Sequence, residues 1–342
     1  MPQGTELHIP FPPGISPDHD AARERNIAWV RDMGLVGSDE SMERYRSWRV
    51  AELAARTNPR ATGDDLDLIC GVLSLAFLFD DQFDGPLGWQ PDRASGVCGA
   101  MISVIDGSPI APEYEGTPLV RSWKDLWQRT VPGMSDDWRS RAGRNFAANY
   151  SVYVQEAENR HGGTPPPLDV YLDMRQKSVD MHPLLDMVER VGHFELTPAE
   201  YYSPHVQEVR RIAADVIAFN NDISSLEKES MRGDPHNLVL VLMREMRCSQ
   251  QDAIQEISAM VRTRIERLRV LESQFQRSPA GTGRAALQRD HRELFLDGVH
   301  AWIRGCYDWE ATTDRYAVHT ATSAHEPGFS EDLISPRCQV RR

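Results

Sequence analysis

Leu68-Ile69-Cys70-Gly71-Val72-Leu73-Ser74-Leu75-Ala76-Phe77-Leu78-Phe79 is the most apolar run of the chain, and it leads straight into Asp80-Asp81-Gln82-Phe83-Asp84. The run is well short of the ~20 residues that cross a bilayer. It reads instead as a buried helix that ends in acids. On a helix Asp80 and Asp84 stand four apart, so both carboxylates point along one face. Like charges at that spacing repel by about a few tenths of a kcal/mol on an exposed helix, and by more beside an apolar wall. A divalent cation removes the conflict, and hard oxygen ligands suit Mg²⁺ or Mn²⁺, above all when a substrate phosphate shares the ion. Taken alone, DDxxD leaves the plain alternative open, a solvated acidic helix end.

Working outward, helical patterning dominates and no convincing alternating strand emerges. Helices are expected near 38–57, 62–82, 91–105, 117–130, 135–160, 168–190, 198–231, 235–246, 249–277 and 284–310. Thr197-Pro198-Ala199-Glu200 combines an N-cap, a first-turn proline and a third-position Glu. Ser249 and Ser135 give further starts. Breakers fall at Gly85–Gly88, Gly107–Pro112, Gly162–Pro167 and Ser278–Gly283. None resembles a domain linker, and no internal repeat is found. The expectation is an all-α chain with an extended arm over 1–20, one catalytic domain over 21–320 and a tail over 321–342.

The chain has 342 residues, 38 basic and 51 acidic, for a formal net charge of −13. That balance argues against a nucleic-acid binder and against docking on an anionic membrane. The start, MPQGTELHIPFPPG, lacks the basic and apolar regions of a signal peptide. The five cysteines are scattered and never in CxxC spacing, which fits reduced thiols in a cytoplasmic protein and gives no zinc signature.

A second cluster, Asn221-Asp222-Ile223-Ser224-Ser225-Leu226-Glu227-Lys228-Glu229, sets Asn221, Ser225 and Glu229 at i, i+4 and i+8. An amide, a hydroxyl and a carboxylate on one helical stripe suit a hard cation. Lys228 beside them would meet a phosphate as a point charge. The alternative is an ordinary polar helix face.

Together these residues resemble the bacterial class I terpene synthases. DDQFD closes an apolar helix, and NDISSLEKE matches the family's N-D-x-x-S-x-x-x-E triad at every defining position. Arg315-Tyr316 resembles the family's Arg-Tyr pair. Arg175, 46 residues before Asn221, falls where the family keeps a pyrophosphate-sensing arginine. The likeness runs from HIPFPPGISPDH to Arg315-Tyr316 and is closest to the pentalenene-synthase-like branch. It implies a single α-domain bundle around a deep apolar pocket. It implies Asp80 as a metal ligand supported by Asp81 and Asp84, with Asn221, Ser225 and Glu229 holding metal across the cleft. Three Mg²⁺ ions would grip the substrate diphosphate, and Arg175, Lys228, Arg315 and Tyr316 would donate hydrogen bonds to it. An arginine followed three and four residues later by a linker and an effector falls on Ser178 and Val179.

The chemistry agrees. Diphosphate leaves once its developing charge is neutralised in a closed, dry site, and the allylic cation left behind needs a shaped apolar wall. Aromatic faces add cation–π contacts of roughly 0.5–2 kcal/mol each. Phe77 and Trp309 are the candidates, with simple core packing as the alternative for each. Pro183 falls inside the expected 168–190 helix and leaves the Val179 carbonyl without its helical partner. A kink is expected there, with that carbonyl directed at the substrate's allylic end.

A chain-elongating synthase is disfavoured because its second aspartate-rich motif is replaced by Asn/Ser/Glu. A hydrolase releasing the free alcohol lacks any histidine cluster or nucleophile motif here. A helical binding protein without catalysis is disfavoured by four intact motifs. Leu75, Ala76 and Phe77 before the acids, with Thr57 and Ala218, suggest a roomy pocket. They favour geranylgeranyl diphosphate over farnesyl diphosphate. The expected partner is therefore an isoprenyl diphosphate, with no nucleic acid, no membrane insertion, and homodimerisation left open.

Overall fold

No strand occurs among the described residues of the computed structural model, which cover 7–163, 165–276, 284–317 and 331–335. Helices α1 (His19–Asp32), α2 (Asp39–Ser47), α3 (Val50–Thr57) and α4 (Gly63–Phe83) lead to a short 3₁₀ turn, Pro86–Trp89. Then come α5 (Pro91–Asp106), α6 (Pro118–Thr130), α7 (Asp136–Gly162), α8 (Leu168–Ser178) and α9 (Met181–Val191). The series ends with α10 (Pro198–Tyr201), α11 (Pro204–Arg232), α12 (Leu238–Met246), α13 (Gln250–Gln276) and α14 (Arg284–Glu310). Their buried apolar faces form one contiguous core running from Leu7 to Leu333. No helix among the described residues is long and apolar enough to cross a membrane.

The expected starts hold. Thr197 and Glu200 form a reciprocal capping box, Ser249 and Asp252 bond each other's backbone, and Ser135 accepts from the Trp138 N–H.

Three expected helices are each broken in two. The 38–57 segment breaks at Arg49, whose backbone is left-handed (φ 55°). Trp309 meets the chain at this break, its Nε1 2.9 Å from the Trp48 oxygen and 3.2 Å from that of Arg49, which also accepts the Glu52 and Leu53 N–H groups at the start of α3. This contact needs α3 and α14 close together. A Cβ on Gly305 would lie 2.8 Å from the Arg56 backbone, so only glycine permits the approach. The 198–231 segment breaks before Pro204, a residue that drives its predecessor, Ser203, out of helical conformation.

The 168–190 segment does not kink around Pro183. It ends at Ser178 and restarts at Met181, with Asp180 left-handed between them (φ 61°). Pro183 thereby falls in the first turn of α9, where a missing N–H costs nothing.

Residues 7–18, before α1, form no helix and pack on the bundle. Phe11 stacks on His300 of α14 at 4.1 Å, and Arg304 donates to the Ile9 and Phe11 carbonyls. Of the tail, residues 331–335 bury Leu333 and exchange backbone hydrogen bonds with the Gln82 side chain of α4. The proposed boundary at 320 lies outside the described residues.

Candidate active site

The C-terminal end of α4 gathers Asp80, Asp81 and Asp84 so closely that one oxygen from each lies within 4.8 Å of the others. Cations from elsewhere hold this repulsive group together. Arg315 Nη2 stands 2.9 Å from Asp80 and 3.0 Å from Asp81. Lys228 Nζ stands 2.8 Å from Asp84 and 3.6 Å from Asp81, and Arg232 lies 2.9 Å from Asp84. Both Asp81 oxygens and Asp84 Oδ2 are buried yet make no hydrogen bond of sound geometry. Carboxylate oxygens crowded this closely, with both of Asp81 and Oδ2 of Asp84 held by ion pairs and not by hydrogen bonds, fit a divalent cation.

Removal from bulk water, ahead of the Asp84 charge, pushes the Asp80 carboxyl up to about 6. Burial acts the same way on Asp81, but Arg315, Lys228, Arg44 and Arg232 together outweigh it and hold that carboxyl below the ordinary range. Adjacent residues of one motif thus meet opposite fields.

Across the cleft, the 29-residue helix α11 presents Asn221, Ser225 and Glu229 to the same cavity. Asn221 Nδ2 donates to the Tyr316 hydroxyl (2.7 Å) and toward Glu310 (3.3 Å), which leaves its Oδ1 to accept from Arg175 (2.6 Å). Ser225 donates to the Asn221 carbonyl, and Glu229 accepts from Asn237 (2.7 Å). Burial, then the charges of Asp222 and Asp234, push Glu229 up to about 8. These donors fit a hard cation once Glu229 loses its proton.

Arg175, on the last turn of α8, donates through Nε to Asp222 (2.9 Å) and through Nη1 to Ser178 (3.3 Å). Arg315 is sandwiched between the rings of Trp48 (4.6 Å) and Phe77 (4.4 Å), with its buried Nη1 unpartnered. Phe77 stacks in turn on Trp309 at 5.4 Å. The structure therefore brings Phe77, Asp80, Asp84, Arg175, Ser178, Val179, Asn221, Ser225, Lys228, Glu229, Trp309, Arg315 and Tyr316 to the lining of one cavity. Asp81 alone sits behind it, fully buried and in contact with Arg315.

Several working residues escaped the sequence. Asp222 is completely buried and accepts from Tyr171, Arg175 and the Leu238 N–H, so the second residue of the α11 motif anchors Arg175. Glu310 accepts from Asn220, Asn221 and Ser224, and burial pushes it up to about 8. Arg160, paired with Asp234 at 2.7 Å, and Trp302 also line the cavity. The signal for Asp222 lay inside the motif itself. Nothing local marked Arg160.

The positions expected to enlarge the pocket are corrected. Ala76 and Phe77 do line the main cavity, but Leu75 faces a small side chamber, and neither Thr57 nor Ala218 reaches the cavity. Thr57 is buried and bonds the Leu53 carbonyl. From α11 it is the larger Ile217 that lines the wall.

Comparison with known proteins bears on this geometry. Residues 72–267 match the family described as terpene synthase family 2, C-terminal metal binding. Over 337 residues the chain is 39% identical to a pentalenene synthase of Streptomyces avermitilis, covering 98% of this chain and 99% of that one. It is 36% identical to a (−)-β-caryophyllene synthase, (2E,6E)-farnesyl diphosphate cyclizing, of Saccharothrix espanaensis, with 97% of this chain and 94% of the relative covered. The crystal structure of germacradien-4-ol synthase from Streptomyces citricolor superposes with a TM-score of 0.80 at 30% identity, covering 92% of this chain and all of that one. With the motifs assembled around one cavity and likeness along nearly the whole length, the chain belongs to the bacterial class I terpene synthases of family 2, diphosphate-releasing lyases.

Proposed function

We propose that the enzyme is a sesquiterpene cyclase that ionises farnesyl diphosphate and closes the resulting carbocation into rings. The observation that carries this is the convergence of two oxygen-rich motifs and four cationic or hydroxyl donors on a cavity that Leu53, Leu73, Phe77, Leu184, Ile217 and Trp302 also line. Mg²⁺, three ions by family resemblance, would be held by Asp80 and Asp84, supported by Asp81 behind them, on one side and by Asn221, Ser225 and Glu229 on the other, and would neutralise the leaving diphosphate.

The protein's own groups do the rest. The unpartnered Nη1 of Arg315 supplies a donor already stripped of water, and its aromatic sandwich fixes the guanidinium plane. Lys228 exchanges its Asp84 partner for phosphate oxygen, and Tyr316 turns its hydroxyl proton to the same group. Arg175 stays anchored to Asp222 and reports diphosphate arrival to Ser178 and the α8–α9 break. The Val179 carbonyl, freed of a helical partner, is directed at the allylic end. Trp309 is pinned through its Nε1 and offers its ring beside Phe77 to the positive charge.

Farnesyl diphosphate replaces the geranylgeranyl expectation. Two of the small residues behind that expectation lie away from the cavity, Ile217 narrows it, and a near full-length relative is named for cyclising farnesyl diphosphate. The test incubates the enzyme with C10, C15 and C20 diphosphates, with Mg²⁺ or with chelator. Diphosphate and extracted terpenes are measured together. A cyclic C15 product that needs Mg²⁺ is the expected result. Preferred turnover of the C20 substrate would overturn the chain length, and no diphosphate release from any substrate would overturn the whole reading.

A further inference from the structure

Among the described acids lining the cavity, Asp180 stands apart. Asp80 and Asp84 belong to the first motif and Glu229 to the second. Glu156 and Asp234 pair with Arg160, and Glu310 accepts three side-chain donors. Asp180 has no ion pair among the described residues, and the Asn149 amide beside it donates to the Lys177 carbonyl. It also borders the side chamber formed by Val72, Leu75, Ala76, Phe79, Tyr150 and Leu184, among others, where it is the sole acid.

Its carboxyl does nothing for the backbone. Asp180 occupies the left-handed position between α8 and α9, where glycine or asparagine would be at least as comfortable, and it makes no capping bond to α9. A strained backbone that carries an unmatched acid into a cavity is the kind of feature a working site retains. The residue follows Val179 directly and lines the same cavity, which the cyclase reading fills with the ionised chain.

We propose that Asp180 is a catalytic residue, the carboxylate that accepts the proton ending the carbocation cascade. This rests on the terpene cyclase reading above. The C–H bond on a carbon next to the cationic centre breaks, and its electron pair becomes the new C=C bond. The proton forms an O–H bond on Asp180 and passes to water when the product leaves. Burial, ahead of the Asp80 charge and against that of Arg175, pushes the Asp180 carboxyl up to about 7. Such a group is partly ionised near neutrality and keeps a proton once it has one.

Asp180→Asn is nearly isosteric and tolerates the left-handed backbone, but it cannot accept the proton. With farnesyl diphosphate and Mg²⁺, diphosphate release and the terpene profile are read in parallel. The share of the principal wild-type hydrocarbon, per diphosphate released, is expected to fall about tenfold in Asp180→Asn, with isomers bearing the double bond elsewhere taking its place. Asp180→Glu should recover part of that share. Asp180→Gly keeps the backbone and should lose the share as Asn does, so it carries the test if the Asn protein misfolds by circular dichroism. An unchanged terpene profile in Asp180→Asn or Asp180→Gly overturns the proposal, as does an alcohol as the principal wild-type product. Failure of the wild-type enzyme to release diphosphate is a separate result and sinks the cyclase reading itself.

Discussion

The end of α4 and the middle of α11 face the same cavity and would serve one ionic cluster, yet they handle charge in opposite ways. Asp80, Asp81 and Asp84 are met by Arg315, Lys228 and Arg232. Their repulsion is cancelled by cations drawn from α11 and the segment after α14. Asn221 and Glu229 meet mostly neutral groups, the Tyr316 hydroxyl that accepts from Asn221 and the Asn237 amide that donates to Glu229; Arg175 bonds only the Asn221 amide oxygen, and Glu229 is held toward its protonated form. Loading the first side therefore exchanges one cation for another, whereas loading the second exchanges a proton for a metal. Lys228 ties the two together, because it sits on the α11 motif and bonds the α4 motif.

The largest effects should come from removing a donor on either side. Asp80→Asn and Glu229→Gln keep shape while withdrawing a carboxylate, and each should lower diphosphate release on the order of 10²–10³-fold. Circular dichroism should show both folded. If only one of the pair lost activity, the picture of two sides serving one cluster would break.

Next in size is Asp222→Asn. The side chain touches no substrate, but it anchors Arg175 with Tyr171 and the start of α12. Loss of its charge leaves the guanidinium without a buried counter-ion, which costs about 3–5 kcal/mol of stability where no partner replaces it. Diphosphate release should fall roughly 10–100-fold, in line with groups that orient rather than ligate. A lowered melting temperature with unchanged turnover would show that Arg175 finds its position without this anchor.

The proton exchange predicted for α11 gives a gentler test. Glu229 is raised from an ordinary 4.5 to about 8, and Glu310 likewise. Between those pH values the unfolded chain has lost protons that the metal-free folded protein keeps. The contribution of these two acids to metal-free stability is thus fully present below about pH 4.5 and lost as pH rises to about 8. Mg²⁺ needs the ionised form, so its stabilising effect should grow over the same window. Melting curves at pH 5.5, 7 and 8.5, with and without Mg²⁺, check this. A metal shift that stays flat with pH would mean that the proton on Glu229 plays no part.

Much of this was legible because it is local. A helix carrying DDQFD and a stripe at i, i+4 and i+8 are statements about one element, and periodicity fixes them. What failed involved contact between elements. Pro183 signalled a disturbance in the 168–190 helix, but a missing N–H does not say which turn yields. The left-handed Asp180 was settled by packing. The break at Arg49 is met by Trp309, far along the chain, which donates to the Trp48 carbonyl there. The Ala218 error was avoidable, since extending the Asn221–Ser225–Glu229 stripe back by four lands on Ile217, which does line the wall. Arg315 and Tyr316 were found through family resemblance. The aromatic sandwich around Arg315 had no sequence signal, because its rings come from Trp48 and Phe77 on separate elements.

The smallest expected effect concerns size rather than charge. Ala76 is one turn before Asp80 and borders both the main cavity and the side chamber. A phenyl ring at 76 would fill the opening between them. Overpacking of that kind typically costs about 1–3 kcal/mol, so the Ala76→Phe protein should fold with a modest fall in melting temperature. The ionising groups on α4 and α11 are left in place, so turnover of farnesyl diphosphate should drop only several-fold. Any residual C20 turnover should drop further, because the longer chain is the one that needs the side chamber. The informative quantity is the ratio of the two rates in the variant over that in the wild type. A ratio of one would mean that Ala76 does not limit chain length, and that this limit is set on the α11 side by Ile217.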